Sequence, residues 1–326
     1  MYKLFFLLLV SVLSLEAKTI SRTQVIMATF ITISLEEKES RYIEDGFKII
    51  KDVDLSLSSY NPKAKIFLLN KELHVGLDEY SYEALKLSKR YYEDSDGYFD
   101  ITIGSITKKL YRFGEEERVA LPKELDSAIV KFKGLYFEKE KACLEYGMQV
   151  DLGGMGKGFA VDKVAEYYRI SGVESATIAA SGDIRCLSVC KLGVENPFSQ
   201  KNLLTFETKY KDLGITTSGN YNRFVESTKN NHLINPKSKK SQTKFISITL
   251  IGDISNADLD AYATAASVMP IKKAYEFLDG LGIAYIVLQS DRELVISENI
   301  SKFTNNLLIN YAVQQKPRYI YYKSQK

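Results

Sequence analysis

The sequence predicts a mixed α+β fold in which sheet cores are covered by helices. Helix-period and strand-period segments alternate along the chain in no repeating order, no internal repeat is present, and 45% of the 326 residues are hydrophobic against 26% charged. That length can bury a large core.

The elements follow in order. Val25 to Ser34 mixes apolar and β-branched residues and reads as a strand. Tyr42, Ile43, Phe47, Ile50 and Val53 recur at helical spacing. A turn at Ser58 to Pro62 follows. Asp78 can cap a helix carrying Tyr82, Leu85 and Tyr92 that ends near Gly97. A loop at Tyr98 to Thr102 precedes a charged stretch through Glu115–Arg118. A strand at Met148–Val150 is expected to run into a glycine-rich loop at Asp151, then a helix from about Gly158 to Ile170. Strands at Ala176–Ala180 and Phe245–Ile251, a helix around Asp260, a helix at Lys272–Leu281, and strands at Ile283–Leu288 and Glu293–Ser297 complete the series.

The N-terminus has Lys3, an apolar run to Leu15, and a small residue at Ala17. This reads as a signal peptide over 1–17, leaving one domain over 18–326 and an exported, periplasmic protein. No cysteine follows the apolar run, so no lipid anchor is indicated. Net charge is +3, from 44 basic and 41 acidic residues. That balance gives no nucleic-acid footprint, and the lysines near Lys316, Arg318 and Lys323 read as a solvated end. Cys143, Cys186 and Cys190 leave at least one free thiol in a monomer. Cys186 and Cys190 are near enough in sequence to pair, or to remain buried thiols.

Three features carry chemistry. Asp260 and Thr264 stand four apart on a small-residue helix, which places their side chains on one face, roughly 5–6 Å apart at Cβ. A carboxylate and a hydroxyl there offer oxygens to one hard cation. Asp151-Leu152-Gly153-Gly154-Met155-Gly156-Lys157-Gly158 opens a helix, where backbone amides attract anionic oxygens. Its glycine spacing is neither a Walker loop nor a dinucleotide fingerprint. The segments Thr217-Ser218-Gly219-Asn220-Tyr221 and His232-Leu233-Ile234-Asn235-Pro236 read as polar turns. The second holds one of two histidines.

Taken in order, these segments resemble the FAD:protein FMN transferase (ApbE) family. The matching pieces begin with Met27-Ala28-Thr29, Leu57 to Pro62 with Leu69-Asn70, and Asp96 to Gly104. They continue with Asp151 to Asp162, Ser181-Gly182-Asp183-Ile184, Thr217 to Tyr221, His232 to Pro236, and Asp260 with Thr264. The resemblance implies a flavin transferase fold and an enzyme that cleaves FAD, its substrate, releases AMP and attaches FMN to a threonine of a partner. Such an acceptor is extracytoplasmic, for example a subunit of a membrane redox complex.

Residue by residue, it implies FAD contacts from Met27, Tyr60, Tyr98, Phe99, Asp100, Asp151, Lys157 and Ile234. It implies Mg²⁺ held by the Gly154 carbonyl, the Asp260 carboxylate and the Thr264 hydroxyl. His232 or Asp183 would serve as base, with a metal-bound hydroxide as a third possibility. The sequence departs from the family pattern at Asn235, Ser238 and Lys239, where an acid, a threonine and a glycine are usual, and at Ser181, where a glycine is usual. These departures keep two further expectations open: an FAD pyrophosphatase giving FMN and AMP, and a non-catalytic flavin-binding protein.

Overall fold

A computed structural model describes residues 18–310 and the backbone of residues 319–322. The expected signal segment 1–17 and the tail residues Lys316, Arg318 and Lys323 lie outside the described residues.

In chain order the elements are β1 (Thr19–Ile26), β2 (Thr29–Glu36), α1 (Ile43–Leu57), α2 (Lys65–Glu72), β3 (His74–Gly76), α3 (Glu79–Asp94), α4 (Gly104–Thr107) and α5 (Pro122–Ser127). They continue with β4 (Leu135–Glu138), β5 (Lys141–Leu144), α6 (Gly156–Ile170), β6 (Ala176–Ala180), β7 (Asp183–Cys186), β8 (Lys191–Val194), β9 (Leu204–Thr208) and β10 (Leu213–Gly219). The last are β11 (Ile234–Asn235), β12 (Lys240–Ser241), β13 (Phe245–Gly252), α7 (Asn256–Val268), α8 (Ile271–Gly280), β14 (Ala284–Gln289), β15 (Leu294–Ser297), β16 (Thr304–Ile309) and β17 (Tyr319–Tyr322).

Among the described residues the main sheet has nine strands, in the order β1-β2-β6-β7-β10-β13-β14-β15-β17. Every pairing in it is antiparallel except β15 with β17. Smaller sheets are β3-β5-β4, β16-β9-β8 and the two-residue ladder β11-β12. The helices α1, α6, α7 and α8 supply Phe47, Ile50, Phe159, Val161, Ala261 and Leu278 to one core cluster with the main sheet. A second cluster lies between the main sheet and the β8-β9-β16 sheet and includes Phe206, Leu288 and Ile296. The mixed α+β class expected from the sequence is the observed one.

Local chemistry accounts for the two helices that matter most. Helix α7 starts at Ser255, whose hydroxyl accepts from the Asp258 amide at 3.0 Å. Its first two amides, Asn256 and Ala257, donate to the half-buried Asp162 carboxylate at 2.8 Å each. Five buried alanines (257, 261, 263, 265 and 266) keep it slim. Helix α6 meets it at Gly158, where an added Cβ would lie 2.2 Å from the Asn256 carbonyl oxygen. No other residue fits there.

Several local expectations need correction. Residues 25–34 are not one strand: the chain reverses at Met27 and Ala28, both at positive φ (54° and 55°), to make the β1–β2 hairpin. A Met-Ala pair gives no turn signal, because such a turn favours Asn-Gly. Met148–Val150 is not a strand; the Asn70 side chain exchanges hydrogen bonds with Val150 at 2.7 and 2.9 Å and satisfies its backbone instead. Thr217–Gly219 is the end of β10, paired with Thr249–Ser247, and not a turn. Ile234 and Asn235 pair with Ser241 and Lys240.

Cys186 and Cys190 are joined by a disulfide, and Cys143 is an exposed free thiol. No described helix is long and apolar enough to cross a membrane.

Candidate active site

One cavity of about 1190 Å³ opens where the Met27 turn, the Asp151 loop and α7 converge on the ends of β10 and β11. Met27, Tyr60, Tyr98, Phe99, Asp100, Asp151 and Gly154 line it. So do Lys157, His232, Ile234, Asp260 and Thr264. Asp183 does not; it lies behind Lys157 with 1% of its surface exposed.

The floor is made by α7 and the start of α6. The Thr264 hydroxyl lies 3.4 Å from the Gly154 carbonyl oxygen. A side chain on residue 154 would crowd Thr264 and Phe99 at 3.1–3.2 Å, so glycine keeps that carbonyl against α7. One turn earlier on α7, Asp260 accepts from the Gly158 amide and from the Lys157 ammonium, both at 3.3 Å. Lys157 also reaches Asp183 at 3.0 Å.

Two buried carboxylates therefore share one ammonium, and Asp183 Oδ1 has no hydrogen-bond partner. Burial, and then the Asp260 charge, push the Asp183 carboxyl well above the usual carboxylate range. Burial works against the Lys157 ammonium, yet the two carboxylates hold its pKa above the ordinary lysine value. Among the described residues no three His, Cys, Asp or Glu side chains gather as a metal cluster. The set Gly154 carbonyl, Thr264 hydroxyl and Asp260 carboxylate has a different chemistry: hard oxygens beside an excess of buried negative charge. These residues fit a Mg²⁺ ion.

The side walls differ in how free their groups are. Asp151 is occupied, its oxygens accepting from Thr107 Oγ1 at 2.7 Å and the Gly153 amide at 2.9 Å. Asp100 accepts from the Thr102 amide and hydroxyl at 2.8 and 2.7 Å. Burial raises its pKa against those bonds. Both acids line the cavity while their carboxylates are tied to neighbouring loop groups.

Tyr60 donates its phenol to the Phe113 carbonyl at 2.7 Å and receives a hydrogen bond from Arg223. The Tyr98 ring carries the ammonium groups of Lys237 and Lys273 at 4.2 and 4.8 Å. Both lysines are ion-paired to Asp96, at 3.1 and 2.7 Å.

His232 Nδ1 lies 3.1 Å from the Arg223 carbonyl oxygen. A carbonyl only accepts, so Nδ1 carries the proton and Nε2 keeps its lone pair. Burial, and then the Arg223 charge, lower this histidine to about 4. It is a neutral imidazole at neutral pH. Sequence reasoning missed Arg223, Thr107 and Lys108, which hold Tyr60 and Asp151 in place. Arg223 follows Tyr221 by two residues, and that proximity to a quoted motif was the one available signal.

Comparison with known proteins places the chain in a family. The ApbE family matches residues 27–287, and the chain belongs to that family. The FAD:protein FMN transferase of Klebsiella pneumoniae (strain 342) is 22% identical over 296 residues, covering 86% of this chain and 93% of that protein. The enzyme of the same name from Escherichia coli (strain K12) is 24% identical over 309 residues, covering 85% and 84%. Among solved structures, the ApbE protein of Thermotoga maritima superposes with a TM-score of 0.81 at 22% identity, over 89% of this chain and all of that one. The flavin transferase ApbE of Vibrio cholerae gives 0.77 at 21% identity, over 88% and 99%.

Proposed function

We propose that this protein is a magnesium-dependent FAD:protein FMN transferase that attaches FMN through a phosphoester to a threonine of an extracytoplasmic acceptor. Family membership carries the activity. The observation that supports the site assignment is the convergence of Gly154, Asp260 and Thr264 in one cavity, beside Lys157 and with His232 among its lining residues. The Cys186–Cys190 disulfide supports export, since such bonds persist in oxidising compartments. In this reading residues 1–17 are the signal segment and 18–326 one catalytic domain.

In the reaction the acceptor threonine oxygen forms a bond to the phosphorus of the FMN half, and the pyrophosphate bond breaks. AMP leaves with the bridging oxygen. Gly154, Asp260 and Thr264 would hold Mg²⁺, which when bound neutralises charge on the pyrophosphate. Lys157 places a fixed positive charge beside the same oxygens. The α6 N-terminus, at Gly156 and Lys157, lines the same cavity, and its dipole favours anionic oxygens there. His232 Nε2 takes the threonine proton as the new bond forms. Tyr60 and Met27 offer a ring and a thioether to the flavin.

The test mixes purified protein, FAD, Mg²⁺ and a threonine-bearing acceptor. The expected result is AMP release with an acceptor mass gain of one FMN unit. AMP released at the same rate with or without acceptor would identify a pyrophosphatase. Tight FAD binding with no AMP would identify a flavin-binding protein.

A further inference from the structure

Lys108 follows α4 directly and is only 7% exposed, yet its ammonium has no hydrogen-bond partner. Burying an unpaired ammonium is costly. What faces it is an aromatic ring: its nitrogen lies 2.9 Å from the centre of the Tyr60 ring. The ring's negative face supplies the compensation that a carboxylate would give elsewhere.

The rest of Tyr60 is equally constrained. Its phenol is held by the Phe113 carbonyl and Arg223, and its edge lies against Gly114, where an added Cβ would come within 3.2 Å. Tyr60 lines the cavity and Lys108 does not, so the ammonium backs the ring from the protein side.

Resting on the functional reading above, we propose that Lys108 is a positioning residue for FAD: its charge clamps the Tyr60 ring from behind and fixes the plane on which the flavin stacks. The clamp works only while Lys108 is protonated. Burial lowers its pKa to about 8, with Asp151 and Glu115 acting to raise it and Arg223 to lower it further. Burial holds the Tyr60 phenol above its usual range, so the ring itself stays neutral there. The cation–π attraction is present below about pH 8 and fades as pH rises through it.

The test is FAD affinity by flavin fluorescence, from about pH 6 to about pH 9.5, in wild type, Lys108→Met and Lys108→Arg. At neutral pH the Met variant should bind FAD about fivefold more weakly, and the Arg variant should match wild type. Wild-type affinity should fall by a similar factor across about pH 8, while both variants stay flat. This limb is read in the unaltered protein, so it survives any misfolding of a variant. Wild-type binding with no alkaline fall, or the same fall in Lys108→Met, overturns the inference alone. A wild type that fails to bind FAD overturns the functional reading and this inference with it.

Discussion

Asp183 keeps one carboxylate oxygen 3.0 Å from the Lys157 ammonium and the other without a hydrogen-bond partner, in a position 1% exposed. Lys157 lines the cavity and Asp183 lies one layer beneath it, so Asp183 meets substrate only through Lys157. Of the two side chains the sequence offers as a base, His232 is the one that lines the cavity. Asp183 serves there to fix Lys157 next to Asp260.

Tyr60→Ala should weaken FAD binding by ~1–3 kcal/mol, the range of aromatic–base stacking. Fluorescence titration checks it. An unchanged dissociation constant would reduce Tyr60 to a packing role.

His232 is lowered to about 4, below the ordinary histidine value. A depressed histidine favours the folded state above its unfolded pKa, and this contribution is lost as pH falls from about 6.5 toward about 4. In the protein without FAD, nuclear magnetic resonance should find this imidazole neutral down to about pH 4. His232→Ala should slow transfer by about 10²–10⁴-fold with FAD affinity retained. A resonance titrating near 6.5 would contradict the buried, neutral setting of His232, and a variant as fast as wild type would remove His232 as the base.

Ala28→Gly should stabilise the fold by about 1 kcal/mol, because Ala28 holds φ at 55° in the β1–β2 turn. Urea unfolding measures it. Both turn residues, Met27 and Ala28, line the cavity. A destabilised glycine variant would mean that the turn carries no backbone strain.

The sequence reveals most where chemistry is local. The four-residue spacing of Asp260 and Thr264, the small residues around them and the Asp78 cap all depend on neighbours within one helical turn, and each is found in place. The Met27–Ala28 reversal was hidden because strain there is sustained by distant packing and announced by no turn residue. Thr107 on Asp151, Arg223 on Tyr60 and Asp162 on the α7 amides span 44, 163 and about 95 residues. Such pairs depend on the finished topology, and no spacing rule foretells them. Lys239 does occupy a left-handed turn position, at φ 58°, where the family uses glycine. Its amide still donates to the Asn235 carbonyl at 2.7 Å, so the departure leaves the loop closed.

The most direct test of a cation held by Gly154, Asp260 and Thr264 is AMP release titrated with Mg²⁺ in wild type and Asp260→Ala. Wild type should show a saturable dependence abolished by a chelator. The variant should release no AMP at saturating Mg²⁺ while still quenching flavin fluorescence. Release that ignores the chelator, or an Asp260→Ala protein as active as wild type, contradicts the assignment.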